Sequence, residues 1–313
     1  MTRVIFMGTP EFSVPSLRML VEEGYNVVAV VTRPDRPAGR GRRISPSPVK
    51  EFALAHHLRV LQPSTFRRPA PVAELAALAP EVVIVAAYGL ILPQSVLDIP
   101  AHGCLNVHAS LLPRHRGASP ITAAILAGDE VTGSTIMLMD AGMDTGPILA
   151  QEPLPIHPDD TAGSLSQRLS LQGADLLRRT LPRWLAGEIE PQPQDRTAAT
   201  VTRMIRKEDG IIDWCKPAVQ IAREVRAYNP WPTARTVWNG RLLRILQARP
   251  LEVEPSVDIS PGQVMLSDGK AVVGTGDGLL QLEKVQLAGK KALPIEDFIR
   301  GQRGFVGSVL GTA

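Results

Sequence analysis

Gly103-Cys104-Leu105-Asn106-Val107-His108-Ala109-Ser110-Leu111-Leu112-Pro113 is the stretch that decides how this chain folds. Its first six residues read as a β-strand, 103–108, ending in a turn at the serine and proline. Further short apolar, β-branched runs lie at 3–7, 27–32, 59–62, 82–87 and 133–140. Between them the pattern turns helical. Pro15 and Pro120 stand at first helical positions behind Val14 and the cap Ser119, and Gly24 and Gly128 stand where those helices stop. A longer helix over 161–186 places Leu165, Leu169, Leu177, Leu181 and Leu185 on one stripe. Strands alternating with helices predict an α/β fold, an open, largely parallel Rossmann-like sheet with helices on both faces.

The 313 residues suffice for two domains, each with its own core. Apolar residues at 44% and charged residues at 21% exclude a disordered or collagen-like chain. Two cysteines, Cys104 and Cys215, cannot build a disulfide framework and match no zinc spacing. The chain opens directly on an apolar strand, so no secretory signal is expected, and the run Val82 to Leu92 is too short to span a bilayer. A cytoplasmic protein is expected.

After Gly187 the sequence Glu-Ile-Glu-Pro-Gln-Pro-Gln-Asp has neither period, and 190–208 reads as a linker between a domain over 1–189 and one over 209–313. The second part opens with a helix over 217–228. It then turns to strands joined by Asn239-Gly240, Ser267-Asp268-Gly269 and a glycine-rich 274–278 segment. Asn-Gly between apolar runs signals a hairpin, and a small antiparallel β-barrel of the oligonucleotide-binding size fits the length. Tyr228, Trp231 and Trp238 are expected to be buried in the domain core or interface, with stacking on bases as the alternative.

The net charge of +3 is small but unevenly placed. Residues 1–189 balance 17 cations against 17 anions, whereas 190–313 carry 17 against 14. Within the neutral part, Arg33, Arg36, Arg40, Arg42, Arg43 and Lys50 face the single acid Asp35 across 33–50. A basic, glycine- and proline-rich loop of this kind can follow phosphates, and Arg203, Arg206 and Lys207 could extend the contact.

Dinucleotide and nucleoside-triphosphate chemistry are not supported. The first turn, Met7-Gly8-Thr9-Pro10-Glu11-Phe12, has one glycine where a pyrophosphate turn wants three, and no Walker pattern occurs. Reactive side chains instead cluster at the end of strand 103–108. Residues two apart on a strand share a face, so Asn106 and His108 point together while Val107 enters the core. A turn after strand 133–140, Met139-Asp140-Ala141-Gly142-Met143-Asp144-Thr145-Gly146-Pro147, can bring a carboxylate over them. An amide, an imidazole and a carboxylate suit acyl transfer to an amine without an enzyme nucleophile. Asn106 and a cationic His108 would donate to the oxyanion, and Asp144 would favour the charged imidazole and help move the amine proton. Ser110 and Cys104 have no identified base, and His102, His108 and His115 have no zinc spacing, so neither a covalent nucleophile nor a metal is expected.

Asn106-Val107-His108, Ser110-Leu111-Leu112-Pro113 and Asp144-Thr145-Gly146 resemble the formyltransferases that use 10-formyltetrahydrofolate. Met7–Phe12, Arg33–Gly41, Ala87–Pro93 and Asn229-Pro230-Trp231-Pro232 narrow the resemblance to the branch acting on methionyl-tRNA. It covers nearly the whole chain. The resemblance implies Asn106, His108 and Asp144 as the catalytic trio and 10-formyltetrahydrofolate as co-substrate, without a metal. It implies a folate pocket formed by Tyr88, Gly89, Leu90, Ile91, Leu92 and Pro93, by Ser110, Leu111, Leu112 and Pro113, and by the Asp140–Thr145 turn with Asp140 and Asp144. It implies initiator methionyl-tRNA as partner, gripped by the basic loop. His115 stands where the family pattern has an aromatic Trp or Tyr. A monomer is expected, away from membranes. Rival readings are a formyltransferase for a nucleotide or sugar amine, a deformylating hydrolase, and a non-enzymatic RNA-binding protein.

Overall fold

The computed structural model describes residues 1–38, 43–251 and 259–311, and the chain divides into two units. The first comprises 1–120, 131–155 and 166–202, and the second comprises 121–130, 156–165 and the chain from Arg203 onward.

In chain order the first part holds β1 (Arg3–Gly8), α1 (Val14–Glu22), β2 (Asn26–Val31), β3 (Arg36–Ala38), β4 (Arg43–Ser45), α2 (Pro48–Ala55), β5 (Val60–Leu61) and α3 (Pro69–Ala77). There follow β6 (Val82–Ala86), α4 (Gln94–Leu97), β7 (Cys104–His108), β8 (Arg116–Gly117), α5 (Pro120–Ala127), β9 (Val131–Leu138), β10 (Ile148–Pro155), α6 (Ala162–Leu185) and β11 (Val201–Thr202). The main sheet has seven strands in the order β10-β9-β7-β6-β1-β2-β5. Five are mutually parallel, and β9 and β10 extend the β7 edge antiparallel. All five residues of β6 are buried, as expected of a strand covered on both faces.

Period-two alternation divides the core between the faces. Val4 and Phe6 of β1, Ile84 of β6 and Leu105 and Val107 of β7 join α1, α2 and α6 on one side. Ile5 and Met7, Val83 and Val85, and Cys104 join α3 and α4 on the other. Leu169, Leu177 and Leu181 of the predicted α6 stripe are fully buried. Gly173 lets that helix approach the sheet, since a Cβ there would lie 2.7 Å from Val107 Cγ1.

The chain leaves β1 for β2 and β5 and then returns to β6 on the other side of β1, a topological switch point. A cleft of about 440 Å³ opens there, at the carboxyl ends of three strands, lined by Thr9, Arg33, Asp35, Ser47, Ala87 and Gly89 among others.

The second unit carries α7 (Ala218–Ala227), β12 (Arg235–Trp238), β13 (Arg241–Leu251), β14 (Val264–Ser267), β15 (Lys270–Gly274), β16 (Leu279–Leu287), β17 (Leu293–Pro294) and α8 (Ile295–Gly301). The strands form a curled antiparallel half-barrel, β12-β13-β16-β15-β14, with β17 paired to β16. Asn239-Gly240 and Asp268-Gly269 both take positive φ at both residues, the geometry of a tight hairpin turn. The edges are bridged by an irregular segment: Leu310 N–H donates to the Gly262 carbonyl and Gly311 N–H to the Val237 carbonyl. Trp238, Phe298 and Phe305 meet edge to face in the core at 5.0–5.8 Å. Tyr228 is buried as expected, but Trp231 is 58% exposed and lies outside this cluster.

Residues 190–202, read from sequence as part of a linker, are tied to the first unit. Gln192 exchanges backbone bonds with Ile148, and β11 pairs in parallel with β8.

Replacing glycine by alanine inside a solvent-facing helix stabilises by about 1 kcal/mol. At Gly173 the added methyl collides with Val107, and overpacking costs about 1–3 kcal/mol. Gly173→Ala is therefore expected to lower the thermal midpoint. A raised midpoint in scanning calorimetry would contradict this close helix-to-strand contact.

Candidate active site

Strand parity delivers the first two groups. Val107 packs under α6, so Asn106 and His108 face the opposite side of the sheet at its carboxyl edge. The third arrives from the turn between β9 and β10. Asp140 shapes that turn by accepting from Gly142 N–H at 3.0 Å and Thr145 Oγ1 at 2.7 Å. Gly146 allows the closure, since a Cβ there would lie 1.9 Å from the Leu138 carbonyl oxygen. Asp144 takes φ +54°, a left-handed conformation that aspartate tolerates better than most residues.

The trio meets. Asn106 Nδ2 donates to Asp144 Oδ1 at 3.3 Å, and Asp144 Oδ2 lies 3.8 Å from His108 Nδ1. The Gly117 N–H donates to the same Oδ2 at 2.8 Å. His108 is 6% exposed and Asp144 16%, so the carboxylate retains a path to solvent.

His108 Nε2 sits 3.1 Å from the His115 carbonyl oxygen. A carbonyl can only accept, so Nε2 carries the hydrogen and Nδ1 of the neutral ring presents a lone pair beside Asp144. Burial lowers the imidazole pKa from its ordinary value. Asp144 opposes this, as does the His115 carbonyl, while the neighbouring His115 ring adds to the lowering. Burial thus works against the cationic His108 expected from sequence, while Asp144 works for it.

The other expected pocket residues differ in their setting. Ser110 is buried, its Oγ donating to the Arg114 carbonyl at 2.6 Å. Thr135, missed from sequence, fastens this turn to β9: its hydroxyl donates to the Ser110 carbonyl and accepts from Leu112 N–H. Gln151 of β10 donates to the Leu112 carbonyl at 2.8 Å. Leu112 is buried, and Leu111 and Pro113 are partly exposed. Tyr88 turns its ring into the core at 6.3 Å from Phe66, where burial raises the phenol to about 12. Its backbone, with Gly89, edges the cleft, while Leu90 and Pro93 are half-buried, Leu92 is buried and Ile91 is 90% exposed.

The expected phosphate-binding cations divide. Arg40 and Arg42 lie outside the described residues, and only the backbone of Arg36 and Arg43 is described. Lys50 is held by Asp35 at 2.6 Å and by Gln62 Oε1 at 2.8 Å, and its bond to Asp35, with one from Gln62 Nε2 to Asp35 Oδ1, depresses the Asp35 carboxyl. Arg203 grips both oxygens of Asp209 at 2.7 Å, which helps bring that carboxyl down to about 2. Arg33 is half-buried at the rim of the cleft, and Arg206 and Lys207 are exposed. His115 is buried with φ +57°, its N–H donating to Thr200 Oγ1 at 2.8 Å. Among the described residues no three His, Cys, Asp or Glu side chains are grouped to hold a metal, and no helix is long and apolar enough to cross a membrane.

Comparison with known proteins matches residues 2–181 to the formyl transferase domain and 204–303 to the formyl transferase C-terminal domain. The chain is 52% identical over 313 residues to a methionyl-tRNA formyltransferase of Roseiflexus sp. (strain RS-1), covering 99% of this chain and 96% of that protein. Among solved structures, an N-formyltransferase from Helicobacter canadensis, in complex with folinic acid and dTDP-3-aminofucose, shares the fold. Its TM-score is 0.69 at 19% identity, over 90% of this chain and 98% of that one. Methionyl-tRNA formyltransferase from Clostridium thermocellum matches with a TM-score of 0.56 at 16% identity, over 92% and 99%. Both domain matches and a relative alike over nearly the full length lead to one statement: this chain belongs to the formyl transferase family.

Proposed function

We propose that the chain transfers the formyl group of 10-formyltetrahydrofolate to the free amino group of methionine esterified to initiator tRNA. The observation that supports this most directly is the meeting of Asn106, His108 and Asp144 at the end of β7, in a chain so similar along its length to a methionyl-tRNA formyltransferase.

A free α-amino group titrates at about 8, so neutral to slightly alkaline conditions supply the attacking lone pair. As the nitrogen bonds to the formyl carbon, the carbonyl oxygen gains negative charge. Asn106 Nδ2, held at only 3.3 Å by Asp144, can turn its hydrogen to that oxygen. The neutral Nδ1 of His108 takes the proton that the nitrogen releases. The resulting imidazolium pairs with Asp144 and steadies the oxyanion. When the bond from carbon to N10 of the folate breaks, the same proton moves to N10. Formylated amine and tetrahydrofolate leave, and His108 returns to its neutral form.

The defining assay supplies the formyl donor together with charged initiator tRNA, charged elongator tRNA, free methionine or a nucleotide-linked amino sugar. Efficient transfer is expected with the first alone; preference for the sugar would overturn the assignment. Asn106→Ala should reduce kcat by about 10²–10³ while tRNA affinity stays within about twofold of the unmodified protein. Replacing Arg42 and Arg43 with Ala should do the reverse, weakening tRNA binding and flattening its salt dependence by about one unit of slope for each phosphate no longer neutralised.

The pH profile gives a separate check. His108 works as a free base with a lowered pKa, so activity is retained above that value and lost as pH falls through it. The acid limb of kcat is therefore expected below pH 6.5, the ordinary histidine value. Asp144→Asn removes the opposing attraction and should move the limb lower still, with a smaller kcat. An acid limb above 6.5, measured in single-turnover experiments, would contradict the neutral-base mechanism.

A further inference from the structure

Gln194 lies in the segment that the sequence pattern assigns to a linker, yet its side chain reaches into the site. Its Nε2 donates to the Asp144 carbonyl at 2.9 Å and to the Gly146 carbonyl at 2.6 Å. Its Oε1 accepts from Arg116 Nε at 3.0 Å and from Arg116 Nη2 at 2.7 Å. Both ends of the amide are therefore engaged.

The two carbonyls flank Thr145, so one side chain clamps the backbone on either side of the turn that presents Asp144 in its left-handed conformation. The other half of the clamp reaches the opposite wall. Arg116 directly follows His115, whose carbonyl fixes the His108 tautomer, and directly precedes Gly117, whose N–H holds Asp144 Oδ2. The same segment secures that wall again, because Thr200 accepts from His115 N–H through its hydroxyl and from Arg116 N–H through its carbonyl. An amide suits this place chemically. A carboxylate could pair with Arg116 but would turn lone pairs toward two carbonyl oxygens, and a hydrocarbon would leave the buried guanidinium and both carbonyls unmatched.

We propose that Gln194 is a positioning residue for the formyl transfer, acting through Asp144 by locking the Asp144–Gly146 turn to the His115–Gly117 wall. The proposal rests on the assignment of Asp144 to the catalytic trio. Gln194 touches neither reacting atom, so its removal should degrade turnover and leave substrate binding alone. Misplacement of a reacting group by about 1 Å costs on the order of a hundredfold in rate.

The experiment compares Gln194→Met, which keeps the volume and removes both polar ends, with Gln194→Glu. Formyl transfer to charged initiator tRNA is measured in the background of the unmodified chain and of Asp144→Ala, with thermal unfolding in parallel. The unmodified chain serves as the check on the underlying reaction, since its failure to formylate would refute the proposed function independently of Gln194. Both Gln194 variants should lose about tenfold to a hundredfold in kcat, with KM for either substrate within about twofold. In the Asp144→Ala background the same substitutions should change kcat by less than about twofold, because the group they position is already gone. If Gln194→Met unfolds, Gln194→Glu carries the same comparison, its Arg116 contact being preserved. A kcat near that of the unmodified chain, a loss confined to KM, or an undiminished loss in the Asp144→Ala background would each overturn the assignment.

Discussion

The constraint on which this site depends is the two-faced geometry of β7. Val107 must enter the core under α6, where Gly173 has no Cβ to meet it. That fixes the parity of its neighbours, so Asn106 and His108 emerge together on the other face. A slip of one residue in register would bury both polar groups beneath α6 and turn Val107 outward. The pairing of β7 with β6 and β9 on its two sides prevents it. A helix-to-sheet contact thus sets the geometry of the candidate site.

Burial then decides what those groups do. Excluding water from His108 makes its cation costly, and the nearby carboxylate offsets only part of that cost. In the proposed mechanism the imidazole therefore starts as a base and becomes an acid within the same turnover. Its tautomer is set by a main-chain oxygen, which no side-chain substitution at His115 removes. This also limits what the departure at His115 from the family's aromatic pattern can affect, since the contact to His108 comes from the backbone of that residue.

The strands and helices were legible where burial gives a clear period. The runs 3–7, 82–87 and 103–108 correspond to β1, β6 and β7, and the α6 stripe to fully buried leucines. Two hairpins were readable from Asn239-Gly240 and Asp268-Gly269, since their backbone conformations require such residues. β10 was missed because Ile148-Leu149-Ala150-Gln151-Glu152-Pro153-Leu154-Pro155 has prolines and an edge position, both of which weaken a strand pattern. Asn106, His108 and Asp144 were legible as neighbours, but how deeply the His108 ring is covered, which works against its charge, was not, being a three-dimensional quantity. Gln194 and Thr135 carry no local signal at all: one sits in polar coil and the other within an apolar strand, and each matters through residues at least sixteen positions away.

Charge counting from sequence is similarly reshaped by local pairing. Of the cations expected to meet phosphates, Lys50 and Arg203 each face a carboxylate at hydrogen-bond distance. To a polyanion beyond a Debye length, such a pair presents a dipole whose two fields largely cancel. Their contribution is to shape. Lys50, Asp35 and Gln62 pin the residues leading into the basic loop to the end of β5, and Arg203 with Asp209 closes the turn that opens the second unit. Of the other expected cations, Arg206 and Lys207 are exposed beside the closed turn, and Arg40 and Arg42 lie outside the described residues. In the sequence 33–50 sets six cations against the single acid Asp35, and with Lys50 paired to Asp35 the net excess of five rests on arginines.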